Sequence, residues 1–249
     1  MPVDEHELAA RIVIAHERGE LLPAPVDHGL DGPAAYRVQS AVVGARRSAR
    51  RVGWKLGYTS EAMRRQMGVD QPNFGPLHDG MVLSDGAQLA GGVVQPRVEP
   101  ELAAVMAQTA DDPDDLIGAV AGWYASIEVV DSVWHDYRFD WALNTADGSS
   151  AAFVVVGDQV AEGTSRELSR LPVALAIDGG EVATGTADAA MGDPWAALRW
   201  LAGQLAAQGE RLQHGDIVIT GGLTRAFALE PGTSVVAQVG SGAARLSRA

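Results

Sequence analysis

Cysteine is absent from this chain of 249 residues, and lysine occurs only once. Without cysteine there is no disulfide, no thiolate nucleophile and no cysteine-bound zinc, so any metal ion must be held by oxygen or imidazole ligands. Of the 19 basic residues, 18 are arginine, which keeps its proton near neutral pH. The single lysine is therefore a side chain to examine for acid/base chemistry that arginine cannot perform.

Positive charge is also scarce, because 19 basic residues stand against 32 acidic ones and the net charge is −13. This balance argues against nucleic acid or an anionic membrane as the main partner. No apolar run is long enough to span a bilayer, and the first residues are acidic where a secretory signal would be basic. These features favour a cytoplasmic globular protein.

Helical spacing and capping residues predict two helices within the first 50 residues. Apolar residues with charges between them predict a helix over residues 4–18, closed by Gly19. Asp-Gly-Pro at 31–33 predicts the start of a second helix, which we expect to reach Arg50. Farther along, a third helix is expected over residues 116–124, just before a β-branched segment.

Two glutamates stand two residues apart in a segment that reads as a strand, residues 95–106. Alternate strand residues point to the same face, so Glu99 and Glu101 lie side by side with Cα atoms roughly 6.5 Å apart. Such a pair suits two ligands of one hard cation. It equally suits a solvated edge strand, where Pro100 is also tolerated.

A third glutamate occupies the middle of an apolar segment, residues 126–131. The β-branched residues around Glu128 predict a buried strand, in which an unpaired carboxylate would be unfavourable. A metal ion shared with Glu99 and Glu101 would explain its position.

The single lysine, Lys55, lies in a short glycine-bracketed strand over residues 52–60. A lysine in such a strand either extends its amine to the surface or is partly buried with a lowered pKa and a chemical role. The second reading makes Lys55 a candidate general acid/base.

Four segments in the same order as in a known family carry a resemblance: GWKLGYTS at 53–60, GVDQPNFG at 68–75, QPRVEPE at 95–101 and IEVVDS at 127–132. With Thr220-Gly221, they resemble the fumarylacetoacetate hydrolase superfamily, in its 2-keto-4-pentenoate hydratase and 4-oxalocrotonate decarboxylase branch. The resemblance implies an α+β fold, a β-rich rolled mixed sheet with peripheral helices. We expect a helical region over residues 1–52, packed on a catalytic β-roll over residues 53–249.

The resemblance also implies a site. It places Mg²⁺ or Mn²⁺ on Glu99, Glu101 and Glu128, and makes Lys55 the acid/base residue. Substrates of the family are 2-hydroxy-dienoates or their 2-oxo tautomers, and a metal that binds the 2-oxo oxygen stabilises the enolate. The residues expected to bind substrate are Ser150, Asp147, Thr220 and Leu77.

Some positions depart from the family's pattern: Gly80 replaces an acidic residue, Gly148 an asparagine, Val133 an arginine and Asp193 a histidine. His78 and Asp79, next to Gly80, are the candidates to replace the missing acid, and we include both as catalytic candidates.

Four functions therefore remain open. The first is a hydratase that converts 2-hydroxy-2,4-dienoates to 4-hydroxy-2-oxo acids, and the second a decarboxylase of a 2-oxo-3-enedioate such as 4-oxalocrotonate. The third is an acylpyruvate hydrolase, which needs a carboxylate–histidine pair that only His78 and Asp79 offer. The fourth is a non-catalytic partner subunit or a repurposed biosynthetic relative. In each case the expected ligand is a small 2-oxo or 2-hydroxy acid, and we expect a homo-oligomer, alone or with a related subunit.

Overall fold

The computed structural model describes residues 3–46, 50–110, 112–113 and 116–249. In these residues the helices are α1 (Glu5–Arg18), α2 (Gly32–Arg46), α3 (Glu61–Met67), α4 (Trp141–Ala146) and α5 (Pro194–Ala207). The strands are β1 (Arg51–Gly57), β2 (Asn73–His78), β3 (Val82–Leu83), β4 (Ala87–Leu89), β5 (Arg97–Met106), β6 (Val120–Val130), β7 (Ala151–Glu162), β8 (Pro172–Ile177), β9 (Gly180–Thr186), β10 (Ile217–Ile219), β11 (Phe227–Ala228), β12 (Ser234–Val239) and β13 (Gly242–Arg248).

The described strands form two sheets. The larger has the order β2-β1-β10-β5-β6-β7-β3, with β11 also paired to β5, and it mixes parallel and antiparallel pairs. The smaller has the order β4-β13-β12-β8-β9. Apolar side chains of both sheets pack together, among them Val98, Ile127, Leu175 and Val235. The long central strands β5 and β6 are therefore shielded from water along much of their length.

Helix α5 packs against the larger sheet and closes a second part of the core. Asp193 caps its start, because its side chain accepts a hydrogen bond from the backbone N–H of Trp195, and Pro194 is the first residue of the helix. Trp195 meets Trp123 of β6 edge to face, with ring centroids 4.9 Å apart. Leu198 and Leu201 are completely buried in the same cluster.

The N-terminal helices pack on one another and on the chain around α4. Helix α1 is confirmed where it was predicted, with Asp4 capping its start and Gly19 its end. Its buried residues share a cluster with Val133, Trp134 and residues of α2 and α4. Residues 47–49, where α2 was expected to continue, lie outside the described residues, and the division of the chain at residue 52 stays a prediction. No helix in the described chain is long and apolar enough to cross a membrane.

The helix expected over residues 116–124 was wrong. The structure has a single 3₁₀ turn at Ile117–Ala119, and β6 begins at Val120. Trp123 pairs with Ala104 of β5 on one side and with Ala161 of β7 on the other. Hydrogen bonding between two neighbouring strands therefore overrides the local helical spacing.

Candidate active site

The three glutamates named from the sequence come together on β5 and β6. Glu99 lies directly opposite Glu128 in the antiparallel pair, and Glu101 is two residues farther along the same face of β5. One carboxylate oxygen of each residue lies within 4.8 Å of those of the other two. The strand alternation thus converges three carboxylates on one place.

Two of these carboxylates are buried and incompletely hydrogen-bonded, and Glu99 is partly buried. Glu101 and Glu128 are 0% and 1% exposed. Oε2 of Glu101 accepts a hydrogen bond from the Gly221 N–H at 2.8 Å. In the described chain, its other oxygen and Oε2 of Glu128 have no hydrogen-bond partner, and Oε1 of Glu128 has only the Lys55 ammonium, 3.1 Å away. Buried polar atoms normally have partners, so this arrangement indicates a site for an additional group.

Burial and mutual repulsion also raise the pKa values of these groups. Burial is the main cause of the increase in the pKa of Glu99 to about 7, and the charge of Glu128 adds to it. Burial likewise raises the pKa of Glu101 well above its ordinary value, followed by the charges of Glu128 and Glu99. The pKa of Glu128 is raised by burial, while the Lys55 ammonium lowers it. A positive charge among the three would relieve this repulsion.

The donor set fits a hard divalent cation. It consists of carboxylate oxygens alone, which are the ligands preferred by Mg²⁺, Mn²⁺ and Ca²⁺. The fit rests on the unpartnered buried oxygens of Glu101 and Glu128 and on their closeness to Glu99.

Two glycines after β10 allow the chain to pass close to the carboxylates. Gly221 has a φ of +102°, and a Cβ there would collide with Oγ1 of Thr59. A Cβ on Gly222 would collide with Oε2 of Glu99. Only glycine therefore lets this loop hold Glu101 while leaving room for Glu99.

Lys55 points into the same site. The residue is 4% exposed and lies in β1 between Ile219 of β10 and Gly75 of β2. Its Nζ is 3.1 Å from Oε1 of Glu128 and donates to the Ser149 carbonyl at 2.7 Å. The amine is therefore buried and does not extend to the surface.

The Ser149 carbonyl belongs to a tight turn after α4, residues 147–150. Gly148, Ser149 and Ser150 all have positive φ, at 67°, 58° and 57°. Two side-chain hydrogen bonds hold the turn: Ser149 Oγ donates to Asn73 at 2.7 Å, and Ser150 Oγ accepts from Asn144 at 2.8 Å. Consecutive left-handed residues persist only where surrounding contacts enforce them, so these hydrogen bonds fix the conformation of the turn.

Three of the residues expected to bind substrate have their side chains engaged within the protein. Both carboxylate oxygens of Asp147 are hydrogen-bonded inside the chain. Thr220 Oγ1 donates to the Leu102 carbonyl at 2.9 Å. Leu77 is buried in a cluster of apolar side chains. Their roles as substrate-binding residues stay predictions, and these contacts favour a supporting role.

The structure does not bring His78 and Asp79 to Lys55. Gly75 is the residue of β2 opposite Lys55, whereas His78 is opposite Arg51. His78 is three residues farther along β2 than Gly75, roughly 10 Å. Asp79 is exposed, and its carboxylate accepts a hydrogen bond from the Gly80 N–H at 2.8 Å.

Hydroxyl groups that the sequence reading did not single out also belong to this site. Ser126 lies opposite Glu101, and in the described chain its Oγ is buried without a hydrogen-bond partner. Thr59 Oγ1, beside Gly221, and the hydroxyl of Tyr58 are also buried without a hydrogen-bond partner in the described chain. The signal for Ser126 was available, because it precedes Glu128 by two residues in the same strand and so shares its face.

The sequence of this chain is similar to those of known enzymes. The family model described as "Fumarylacetoacetate (FAA) hydrolase C-terminal" matches residues 54–247. A 2-keto-4-pentenoate hydratase from Burkholderia vietnamiensis is 35% identical over 241 residues, 93% of this chain and 92% of that protein. A 4-oxalocrotonate decarboxylase from a Pseudomonas species is 34% identical over 211 residues, 82% of each chain.

A solved structure is similar over almost the whole fold. It is a 4-oxalocrotonate decarboxylase from Pseudomonas putida G7, complexed with magnesium and adipate. The TM-score is 0.90 at 27% sequence identity, with 98% of this chain and 97% of that chain covered. The curled mixed sheet with peripheral helices defines an enzyme of the fumarylacetoacetate-hydrolase fold, as predicted. The chain belongs to the fumarylacetoacetate hydrolase family.

Proposed function

We propose that the chain is a divalent-metal-dependent hydro-lyase. Its substrates would be 2-hydroxy-2,4-dienoates and their 2-oxo-4-enoate tautomers, and its products 4-hydroxy-2-oxo acids. One observation carries the proposal: three carboxylates, two of them fully buried, converge within 4.8 Å, and the chain's single lysine amine lies 3.1 Å from one of them. The 35% identity to a 2-keto-4-pentenoate hydratase over 93% of the chain supports the substrate class.

Glu99, Glu101 and Glu128 would hold Mg²⁺ or Mn²⁺. A bound divalent ion supplies positive charge that favours the anionic form of a 2-oxo acid. The similar decarboxylase structure contains magnesium, which supports a divalent ion of this kind.

Lys55 is proposed to move protons. An ammonium group has three N–H donors, and the Ser149 carbonyl and Glu128 account for two of them. The third is left for the substrate. Ketonisation moves the proton of the 2-hydroxyl to C5 of the dienoate. Water then adds across the remaining double bond, its oxygen to C4 and its proton to C3, and Lys55 Nζ is the nearby group that can hold a proton between these steps.

The surrounding side chains exclude bulk water and supply polar contacts. The hydroxyls of Ser126, Thr59 and Tyr58 are buried without partners in the described chain, so they are suited to hold the reacting water or a substrate oxygen. Ser150 stays in the proposed substrate-binding set, whereas His78 and Asp79 receive no chemical role here.

Decarboxylation of a 2-oxo-3-enedioate is the second candidate. It is favoured by the TM-score of 0.90 to a 4-oxalocrotonate decarboxylase, which was complexed with adipate, a six-carbon diacid. In this reaction the bond to the distal carboxylate breaks, CO₂ leaves, and the electron pair passes along the conjugated chain to the 2-oxo group. The same three glutamates would hold the metal ion, and Lys55 would again be the proton-transfer group.

Product analysis separates the candidates. The purified protein is incubated with 2-hydroxypenta-2,4-dienoate or with 4-oxalocrotonate, each with Mg²⁺ or with EDTA, and products are identified by NMR. A metal-dependent 4-hydroxy-2-oxo acid supports the hydratase, and CO₂ release from the diacid alone supports the decarboxylase. No metal-dependent product from either compound would contradict both. Light scattering of the same sample tests the proposed homo-oligomer.

A further inference from the structure

Helix α1 reaches the active site through one side chain. Nε2 of His16, in the last turn of the helix, donates to Oδ1 of Asp147 at 2.6 Å. The side chains are 7% and 0% exposed, so this hydrogen bond is shielded from water. It joins residues that are 131 positions apart in the sequence.

Asp147 is held on its other side as well. Its Oδ2 accepts from Ser132 Oγ at 2.7 Å and from the Val133 N–H at 3.1 Å. Its backbone N–H donates to the Leu143 carbonyl, and its carbonyl accepts from the Ser150 N–H. Asp147 is thus the fixed first residue of the turn 147–150.

That turn delivers a carbonyl to the amine of Lys55. The next residues, Gly148, Ser149 and Ser150, are all left-handed, a conformation that must be imposed by contacts outside the turn. This conformation places the Ser149 carbonyl 2.7 Å from Nζ of Lys55, from which it accepts a hydrogen bond. A shift of Asp147 would be passed to this carbonyl within two residues.

We propose that His16 is a positioning residue for the lysine amine, acting through Asp147 and the turn 147–150. It does not touch the carboxylate cluster, and its effect is to fix where the Ser149 carbonyl holds Lys55. This inference rests on the proposed function only in taking Lys55 as the proton-transfer group.

The chain offers two matched controls. His6 is on the same helix and is exposed, so His6→Ala alters α1 without touching the turn. His28 forms a similar pair, with its Nε2 2.7 Å from Oδ2 of Asp140, at the start of α4. Of the variants at position 16, His16→Gln keeps an amide donor near the place of Nε2, whereas His16→Asn is too short and His16→Ala has no donor.

The single lysine allows a readout that does not depend on turnover. Protein grown with lysine labelled by ¹³C at Cε gives one side-chain NMR signal, that of Lys55. We expect this signal to shift or broaden in His16→Ala and His16→Asn. It should stay at the wild-type position in His16→Gln, His28→Ala and His6→Ala.

Kinetics supply the second readout. With Mg²⁺ and the substrate that the wild type converts, His16→Ala and His16→Asn should lower kcat by about 10- to 100-fold, with KM changed little, because a misplaced catalytic group slows chemistry more than binding. His16→Gln should restore most of kcat.

An unchanged Lys55 signal in folded His16→Asn would overturn the proposal, as would equal effects of His16→Ala and His28→Ala. If His16→Ala does not fold, the contrast between His16→Asn and His16→Gln decides. An inactive wild type would refute the proposed function, yet the NMR comparison would still test His16.

Discussion

Two pairs of buried carboxylates differ in how they are bonded. Both oxygens of Asp131 and of Asp147 accept hydrogen bonds: Asp131 from the Val94 and Gln95 N–H groups, and Asp147 from His16, Ser132 and Val133. Glu101 and Glu128 are equally buried, yet in the described chain one oxygen of each has neither a hydrogen-bond nor an ion-pair partner. The first pair is fully hydrogen-bonded within the chain, whereas the second leaves oxygens available for the cation proposed above.

The difference follows from where each pair lies. Asp131 and Asp147 face loop and turn backbone, where free N–H groups are available. Glu101 and Glu128 lie within strands whose N–H groups are occupied by neighbouring strands, so among the described residues Gly221, in a loop, is the one backbone donor that reaches them. The Lys55 ammonium offsets part of the charge of Glu128, and a bound cation would stabilise the rest of the cluster.

The largest expected effect is on catalysis. Lys55→Ala should lower turnover of the substrate about 10²- to 10⁴-fold, the usual contribution of a general acid/base residue. Steady-state kinetics with saturating Mg²⁺ measures this. His6→Ala is the control for an unrelated change, and turnover unaffected in Lys55→Ala would remove the role given to this residue.

Stability should distinguish the two kinds of carboxylate directly. In EDTA, Glu101→Gln should leave the free energy of unfolding unchanged or higher, because it removes an uncompensated buried acid and keeps an acceptor for Gly221. Asp147→Asn should lower it by about 2–3 kcal/mol, since hydrogen bonds to a charged group are lost.

Urea denaturation of both variants in parallel gives this comparison. The distinction between the pairs would fail if Glu101→Gln lost as much stability as Asp147→Asn.

The glycine loop offers a smaller test of the carboxylate geometry. Gly222→Ala should weaken metal binding by about tenfold, because the new Cβ would displace Glu99. Gly80→Ala is the matched control, since a Cβ there meets nothing within 4 Å. Calorimetric titration with Mn²⁺ measures both affinities, and equal values for the two variants would argue against Glu99 as a ligand.

The smallest expected effect is the pH dependence of metal stabilisation. A carboxyl whose pKa is higher in the folded chain binds its proton more tightly when folded. The metal-free protein should therefore lose stability as pH rises from 4.5 to about 7, the window set by Glu99, and the raised pKa of Glu101 acts in the same direction. Thermal unfolding should show a larger Mg²⁺-induced increase in Tm at about pH 8 than at about pH 6. An Mg²⁺-induced increase in Tm that does not change with pH would contradict this expectation.

Strand alternation made the carboxylate cluster predictable from sequence. Glu99 and Glu101 share a face because they are two apart, and the apolar residues around Glu128 indicated a buried strand. The turn 147–150 was not predictable in this way, because its left-handed serines are imposed by contacts with Asn73 and Asn144.

The contact between His16 and Asp147 also could not be predicted from local sequence patterns. Nothing near His16 in the sequence indicates a partner 131 residues away. The extent of β6 was missed for a similar reason, since pairing with β5 and β7 decides its start.

A titration of the metal-free protein with Mn²⁺, followed by electron paramagnetic resonance, tests the central claim most directly. We expect one ion per chain for the wild type and for Asp79→Asn, an exposed carboxylate outside the cluster, and a large loss of affinity for Glu101→Gln and Glu128→Gln. Unchanged affinity and stoichiometry in both glutamine variants would show that the three glutamates are not the metal centre.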